Sequence, residues 1–143
     1  MNYELINSSN IDLEQIKQYK LHSILDYAKD ITKEEKQRII NYVNESIKHE
    51  LKEYKIIKIN NKKAGCLYIK KYKDGIMLDE IYIDKEYRGN QIGSNIIKNL
   101  QEENNIIYLY VYKENKAYNL YLKLGFKVIE ETQTRYLMKH IKE

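Results

Sequence analysis

The chain has 143 residues, of which 43% are hydrophobic and 32% are charged, and its formal net charge is +4. This composition is globular and excludes a disordered chain, and a charge of this size does not support nucleic-acid binding. No apolar run is long enough to span a membrane, and the N-terminus lacks a signal-peptide pattern. The single cysteine, Cys66, is consistent with a reducing compartment. We therefore expect one cytoplasmic domain over residues 1–143.

The first third of the chain predicts a short strand followed by two helices. Residues 3–6 are a strand candidate, and Asn10 and Asp12 are candidates to cap the first helix. Thr32 and Glu35 have the spacing of a capping box, which predicts the start of the second helix. Apolar residues recur at helical spacing through most of 12–50, so this region is predicted to be a helical pair.

The middle of the chain predicts three strands joined by tight turns. Residues 54–59 and 64–72 are strand-like, with a hairpin turn at 60–63 between them. Lys73, Asp74 and Gly75 predict the next turn, in which Gly75 is expected to supply a positive φ. A third strand is predicted over 76–83.

The remaining residues alternate between helix and strand. The pattern predicts a helix over 91–103, a strand buried on both faces over 106–112, and a helix over 114–124 that ends at Gly125. Two last strands are predicted over 126–130 and 134–140. The resulting order, β-α-α-β-β-β-α-β-α-β-β, predicts an α/β (α+β) fold, and its strand-helix-strand unit calls for a parallel or splayed crossover.

Two of the five glycines, Gly89 and Gly93, lie in one turn between a strand and a helix. The first amides of a helix have no intrahelical partners, and the helix dipole there favours anions. Small residues allow a pyrophosphate to approach the backbone closely. The turn lacks the spacing of a P-loop or of a dinucleotide-binding fingerprint. We therefore predict a pyrophosphate-binding loop at residues 88–94.

This turn carries a family resemblance. Together with the strand before it, the turn resembles motif A of the GNAT acetyltransferase superfamily, Arg/Gln-x-x-Gly-x-Gly/Ala, and it reads Arg88-Gly89-Asn90-Gln91-Ile92-Gly93-Ser94. Gln91 stands in place of the middle glycine, and we expect it to keep a negative φ with its side chain turned away from the phosphates. The resemblance implies a GNAT-like mixed, strongly twisted central sheet with helices on both faces. It also implies that acetyl-CoA is the cosubstrate, held by the backbone of residues 88–94.

Residues 115–126 resemble a second GNAT signature, which ends Leu-Tyr-x-Lys-x-Gly-Phe. The resemblance assigns Tyr121 as the general acid that protonates the leaving thiolate, and an ordinary tyrosine is protonated at neutral pH. Spacing alone leaves a core role for Tyr121 as the alternative, and Tyr118 is the rival hydroxyl. Asn115 is carried over as a cofactor contact, one residue later than the asparagine of the family.

The strand before the loop supplies the other predicted site residues. By resemblance, the backbone of Ile81, Tyr82 and Ile83 pairs with pantetheine, as in strand addition. Asp79 and Glu80 are adjacent and point to opposite faces, so only one can face the acceptor amine and assist its deprotonation. Glu80 is favoured, because apolar residues share the face of Asp79. The alternative for either acid is neutralisation of a surface lysine.

The resemblance implies an acetyl-CoA-dependent N-acetyltransferase that transfers an acetyl group to a primary amine by direct attack. The three histidines have no ligand spacing, so no metal is expected. A non-catalytic acyl-CoA-binding or regulatory module is the alternative. A nucleic-acid binder would need a continuous basic face, which the mixed charges along 84–104 do not provide. The acceptor, a small-molecule amine or a protein or peptide amine, and the oligomeric state, including a homodimer, are left open.

Overall fold

The computed structural model describes residues 2–143. Its strands are β1 (Tyr3–Asn7), β2 (Tyr54–Ile59), β3 (Lys62–Tyr72), β4 (Gly75–Ile83), β5 (Ile106–Tyr112), β6 (Lys127–Glu131) and β7 (Arg135–Ile141). Its α-helices are α1 (Leu13–Leu25), α2 (Lys33–Glu50), α3 (Ile92–Glu103) and α4 (Ala117–Lys123). The predicted order of strands and α-helices is therefore confirmed. Across these residues, no helix has both the length and the apolar character needed to cross a membrane.

The strands form one sheet in the order β1-β2-β3-β4-β5-β7-β6. Pairing is mostly antiparallel, but β4 pairs with β5 in parallel, with residues 76–78 of β4 opposite residues 107–109 of β5. A parallel neighbour requires a crossover connection, and α3 lies in that connection. The predicted mixed α/β fold with a strand-helix-strand crossover is thus confirmed.

The chain divides into two compact units. The first unit comprises Asn2–Tyr68 and Glu80–Tyr87, and the second comprises Ile69–Asp79 and Arg88–Glu143 within the described residues. The core of the first unit is formed by buried side chains of α1, α2, β2 and β3 and of the turn after α2. They are Ile16, Tyr19, Val43, Ile47, Leu51, Tyr54, Ile56, Cys66 and Tyr68. The apolar faces predicted for α1 and α2 supply the helical part of this core.

Side-chain hydrogen bonds stabilise the chain at the starts of both helices of the first unit. Thr32 Oγ1 accepts a hydrogen bond from the Glu35 amide at 3.1 Å, so the predicted capping box of α2 is confirmed. Asp12 precedes α1, but its carboxylate does not cap α1. Instead, Asp12 accepts from the Ser9 amide at 2.8 Å and pairs with Lys63 Nζ at 2.6 Å, which ties this turn to β3.

The second unit is built around α3 and the strands β5 and β7. The predicted apolar face of α3 is buried, and it consists of Ile92, Ile96, Ile97 and Leu100. The expectation that Gly75 has a positive φ is wrong, because Lys73 carries it instead, with φ 46°. Gly75 is needed for space: a Cβ at this position would lie 2.2 Å from the carbonyl oxygen of Ile106.

Candidate active site

The predicted phosphate loop connects β4 to α3 through two residues in the left-handed region. Gly89 has φ 85° and Gln91 has φ 62°. The helix α3 then begins at Ile92, and its first helical hydrogen bond runs from the Asn95 amide to the Gln91 carbonyl at 2.9 Å. The amides of residues 92–94 therefore precede the intrahelical bonding pattern.

Gln91 departs from the sequence-based expectation. We expected a negative φ, but Gln91 adopts φ 62° and ψ 16°, which is the left-handed helical conformation. This conformation costs an ordinary L-residue roughly 1–2 kcal/mol, whereas glycine adopts it readily. Gln91 stands where the family motif has its middle glycine. The backbone therefore keeps a conformation suited to glycine although the residue has changed.

The start of α3 fits an anionic group. The first turn of α3 carries no acidic residue, and the side chain of Gln91, the N-cap residue, makes no capping hydrogen bond. A Cβ built on Gly89 would meet no atom within 4 Å, so the space beside this residue is open. The positive end of a helix dipole and the first backbone amides of a helix are features that bind phosphates in proteins. These are the local features on which the predicted pyrophosphate loop at residues 88–94 depends, and the site itself stays a prediction.

The helix α4 is shorter than predicted. It begins at Ala117 and not at residue 114, and the Asn115 side chain explains the difference. Asn115 Oδ1 accepts a hydrogen bond from the Ala117 amide at 2.9 Å, which closes a turn just before the helix. The side-chain oxygen of Asn115 is therefore engaged in a hydrogen bond to the backbone two residues later.

Tyr121 lies on α4 and is largely buried, with 8% of its surface exposed. Its ring meets the Phe126 ring edge-on, with centroids 5.7 Å apart. The rival tyrosine, Tyr118, stacks on Tyr136 at 4.8 Å. Tyr121 thus contributes to the core of the second unit, as the alternative interpretation held, and this packing restricts its ring.

The two carboxylates of β4 have different neighbours. Asp79 Oδ1 pairs with Lys70 Nζ at 3.5 Å, so its charge is balanced by a partly exposed lysine on β3. Glu80 is half-buried, and its Oε2 lies 3.2 Å from the hydroxyl of Ser23 on α1. The lysine-neutralising alternative therefore describes Asp79, while Glu80 faces the helix α1.

Aromatic rings connect α1 to the end of β4 within the first unit. The Tyr82 ring packs against two rings of α1, with centroid distances of 5.3 Å to Tyr19 and 6.5 Å to His22. The Tyr19 hydroxyl donates to Asp84 Oδ2 at 3.5 Å. Burial, together with the negative charge of Asp84, raises the pKa of Tyr19 well above its usual range, so this hydroxyl stays protonated. The Ile81 and Ile83 side chains on either side of Tyr82 are half-buried.

Cys66 is fully buried in the core of the first unit. Burial raises the pKa of its thiol well above the usual range, the charges of Glu80 and Asp84 act in the same direction, and Lys20 opposes them. A protonated and inaccessible thiol is not a nucleophile. Lys20 is 5% exposed, and its ammonium pairs with Glu50 Oε1 at 2.8 Å.

The sequence did not single out Ser23, Tyr19 or Asp84 as neighbours of the predicted site. Ser23 and Glu80 are 57 positions apart, and Tyr19 and Asp84 are 65 apart. The one local signal is the four-residue spacing of Tyr19 and Ser23, which places both on one face of α1. Which strand that face meets depends on how the helix packs.

The fold is shared with solved structures that include two N-acetyltransferases. The PaiA N-acetyltransferase from Thermoplasma acidophilum, solved in complex with coenzyme A, is 22% identical over 99% of both chains, with a TM-score of 0.78. PH1933 from Pyrococcus horikoshii OT3 is 19% identical over 99% of both chains, with a TM-score of 0.73. An N-acetyltransferase from Staphylococcus aureus Mu50 is 15% identical over 95% of this chain and 99% of its own, with a TM-score of 0.73.

Sequence comparison gives the family. No curated protein matches the sequence. Residues 50–128 match the family model of the acetyltransferase (GNAT) domain, and this match spans more than half of the chain. The chain therefore belongs to the GNAT acetyltransferase family, and the resemblance of its two motifs to that family is confirmed.

Proposed function

We propose that residues 1–143 form a single-domain, acetyl-CoA-dependent N-acetyltransferase that transfers an acetyl group to a primary amine by direct attack. The observation that carries the proposal is the start of α3, where the Gln91 side chain makes no capping hydrogen bond and left-handed residues stand at positions 89 and 91, in a chain of the GNAT family. A structurally similar protein, the PaiA N-acetyltransferase, was solved with coenzyme A, which supports the same cosubstrate here.

In this proposal the cosubstrate is held mainly by backbone groups. The amides of residues 88–94 bind its pyrophosphate, because they combine open space at Gly89 with the positive end of α3. The backbone of residues 81–83 pairs with the pantetheine arm by strand addition. Asn115 contributes through its amide nitrogen, because its oxygen is engaged by Ala117.

Acetyl-CoA supplies the acetyl group as a thioester, and the chain supplies two proton-transfer groups. Glu80 takes a proton from the attacking amine, the new nitrogen–carbon bond forms, and the carbon–sulfur bond breaks. Tyr121 then gives its phenolic proton to the departing sulfur. We assign the base to Glu80 and not to Asp79, because Lys70 already balances Asp79. A tyrosine phenol of ordinary pKa is protonated at neutral pH, as a general acid must be.

Calorimetric titration with acetyl-CoA tests the cosubstrate. We expect saturable binding at micromolar concentration that weakens when Gly89 is replaced by Ala, since φ 85° is strained for alanine. An Asn61→Gly variant, altered in the β2–β3 turn, also replaces a left-handed residue but lies outside residues 88–94, and it should bind like the wild type. Absence of binding at high micromolar acetyl-CoA would remove the cosubstrate from the proposal.

Thiol release across a panel of primary amines tests the chemistry. Turnover with at least one amine is expected, whereas a non-catalytic acyl-CoA-binding module would bind acetyl-CoA without releasing thiol. Tyr121→Phe should lower kcat by about 10²-fold or more, in line with the contribution of a general acid. Tyr118→Phe is the matched control and should leave kcat close to the wild-type value. Equal kcat in the two variants would exclude Tyr121 from the mechanism.

A further inference from the structure

The hydroxyl of Ser23 has two acceptors and one hydrogen. Its Oγ lies 2.8 Å from the carbonyl oxygen of Lys20 and 3.2 Å from Oε2 of Glu80. A serine hydroxyl donates once and accepts through its lone pairs, whereas an ionised carboxylate and a backbone carbonyl only accept. While Glu80 is ionised, the Ser23 hydroxyl can therefore make a full hydrogen bond to only one of these two oxygens.

The shorter contact is the better place for the hydrogen. The usual oxygen–oxygen distance for a hydroxyl donor is about 2.7–2.8 Å, which the Lys20 contact meets and the Glu80 contact exceeds. With its hydrogen on the Lys20 carbonyl, Ser23 turns a lone pair toward Glu80. A lone pair repels a carboxylate oxygen but accepts a hydrogen bond from a carboxylic acid.

We propose that Ser23 is a positioning residue that favours the protonated state of Glu80, so that this carboxylate holds the proton taken from the acceptor amine. The inference rests on the proposed function. When Glu80 gains the proton, its O–H donates to the Ser23 hydroxyl, and the Ser23 hydroxyl donates to the Lys20 carbonyl. Both hydrogens of this short series then have an acceptor. Hydrogen bonding to the neutral form of an acid stabilises that form.

Charges of both signs lie in the same part of the core as Glu80. Within the first unit, Glu80, Asp84 and Lys20 all act electrostatically on the buried Cys66 thiol, and the Lys20 ammonium is paired with Glu50 of α2. By the sign of its charge, Asp84 favours the protonated form of a neighbouring carboxyl and Lys20 the ionised form. The neutral Cys66 thiol on β3 adds no charge. Asp79, the preceding residue, points to the other face of β4 and pairs with Lys70. Because these groups stay in place when Ser23 is replaced, the replacement isolates the hydroxyl.

The test is the titration of the Glu80 carboxyl carbon by NMR in protein labelled at that carbon, without any substrate. In Ser23→Ala the titration midpoint should fall by about half a unit to one unit, the size of one hydrogen bond. Ser23→Thr keeps the hydroxyl and should keep the wild-type midpoint. Ser46→Ala is the matched control, because the Ser46 hydroxyl also donates to a carbonyl three residues earlier, that of Val43, and contacts no carboxylate among the described residues.

The opposite sign would overturn the inference. If Ser23 donated its hydrogen to the ionised carboxylate, the midpoint in Ser23→Ala would rise, and if the hydroxyl had no influence the midpoint would stay. Because the titration needs no acceptor, its result is independent of whether the proposed acetyl transfer occurs. In an active enzyme, Ser23→Ala should also move the acidic limb of the kcat/KM profile to lower pH and lower kcat several-fold, with recovery in Ser23→Thr.

Discussion

Replacing Gln91 with glycine should stabilise the protein, and the reason lies in one backbone angle. Gln91 has φ 62°, a conformation that costs an L-residue about 1–2 kcal/mol. Glycine removes this cost but loses about 0.5–1 kcal/mol through its greater freedom in the unfolded chain. The net gain is therefore about 0.5–1 kcal/mol in the free energy of unfolding.

The gain is measurable by thermal and chemical denaturation. The unfolding entropy of 143 residues is about 0.3 kcal/mol/K, so the expected rise in Tm is about 2–3 °C. Gln91→Ala loses the same side chain but keeps the left-handed strain, and it should leave Tm nearly unchanged. Acetyl-CoA affinity in Gln91→Gly should be retained, because the cradle is formed by backbone amides.

Two controls define the outcome that refutes this reasoning. Lys73→Gly relieves a second left-handed residue, with φ 46°, and should also stabilise the protein. Ser94→Gly lies in the first turn of α3 and should destabilise it, by up to about 1 kcal/mol. If Gln91→Gly lowers Tm as Ser94→Gly does, the strain at position 91 is not the controlling factor.

Three further predictions follow from buried or crowded groups. Burial raises the pKa of Asp12, but the contacts with Lys63 and Ser9 outweigh it, so the pKa is lowered overall. The stability that Asp12 contributes is therefore present above about pH 4 and is lost as pH falls through its folded-state pKa. In urea denaturation at a series of pH values, Asp12→Asn should lose less stability on acidification than the wild type. Gly75→Ala should cost about 1–3 kcal/mol of unfolding free energy by denaturation, because its Cβ would meet the Ile106 carbonyl, and an unchanged value would show that the strand has room. Glu80→Gln should lower kcat by about 10²-fold, whereas Asp79→Asn should leave it near the wild-type value, and the reverse result would move the base to Asp79.

The sequence predicted the bounds of helices and strands well where short-range patterns set them, such as an apolar run or a capping box. The strand bounds at 54–59 and 106–112 agree with β2 and β5, and the capping box at Thr32 predicted the start of α2. The start of α4 was missed by three residues, because a side-chain bond from Asn115 closes a turn that helical periodicity does not reveal. The sign of φ at Gln91 was also missed, since residue type alone favours negative values.

Sequence by itself determined the order of strands and α-helices and the two family motifs, because each depends on residues close together in the chain. Only the tertiary structure decided what surrounds the two adjacent carboxylates. Asp79 meets Lys70, and Glu80 meets Ser23 on a helix 57 positions away. The physical reason is that the alternation of a strand places Asp79 and Glu80 on opposite faces but does not say what each face meets. The packing of α1 against β4 determines that Glu80 acquires a hydrogen-bond partner there.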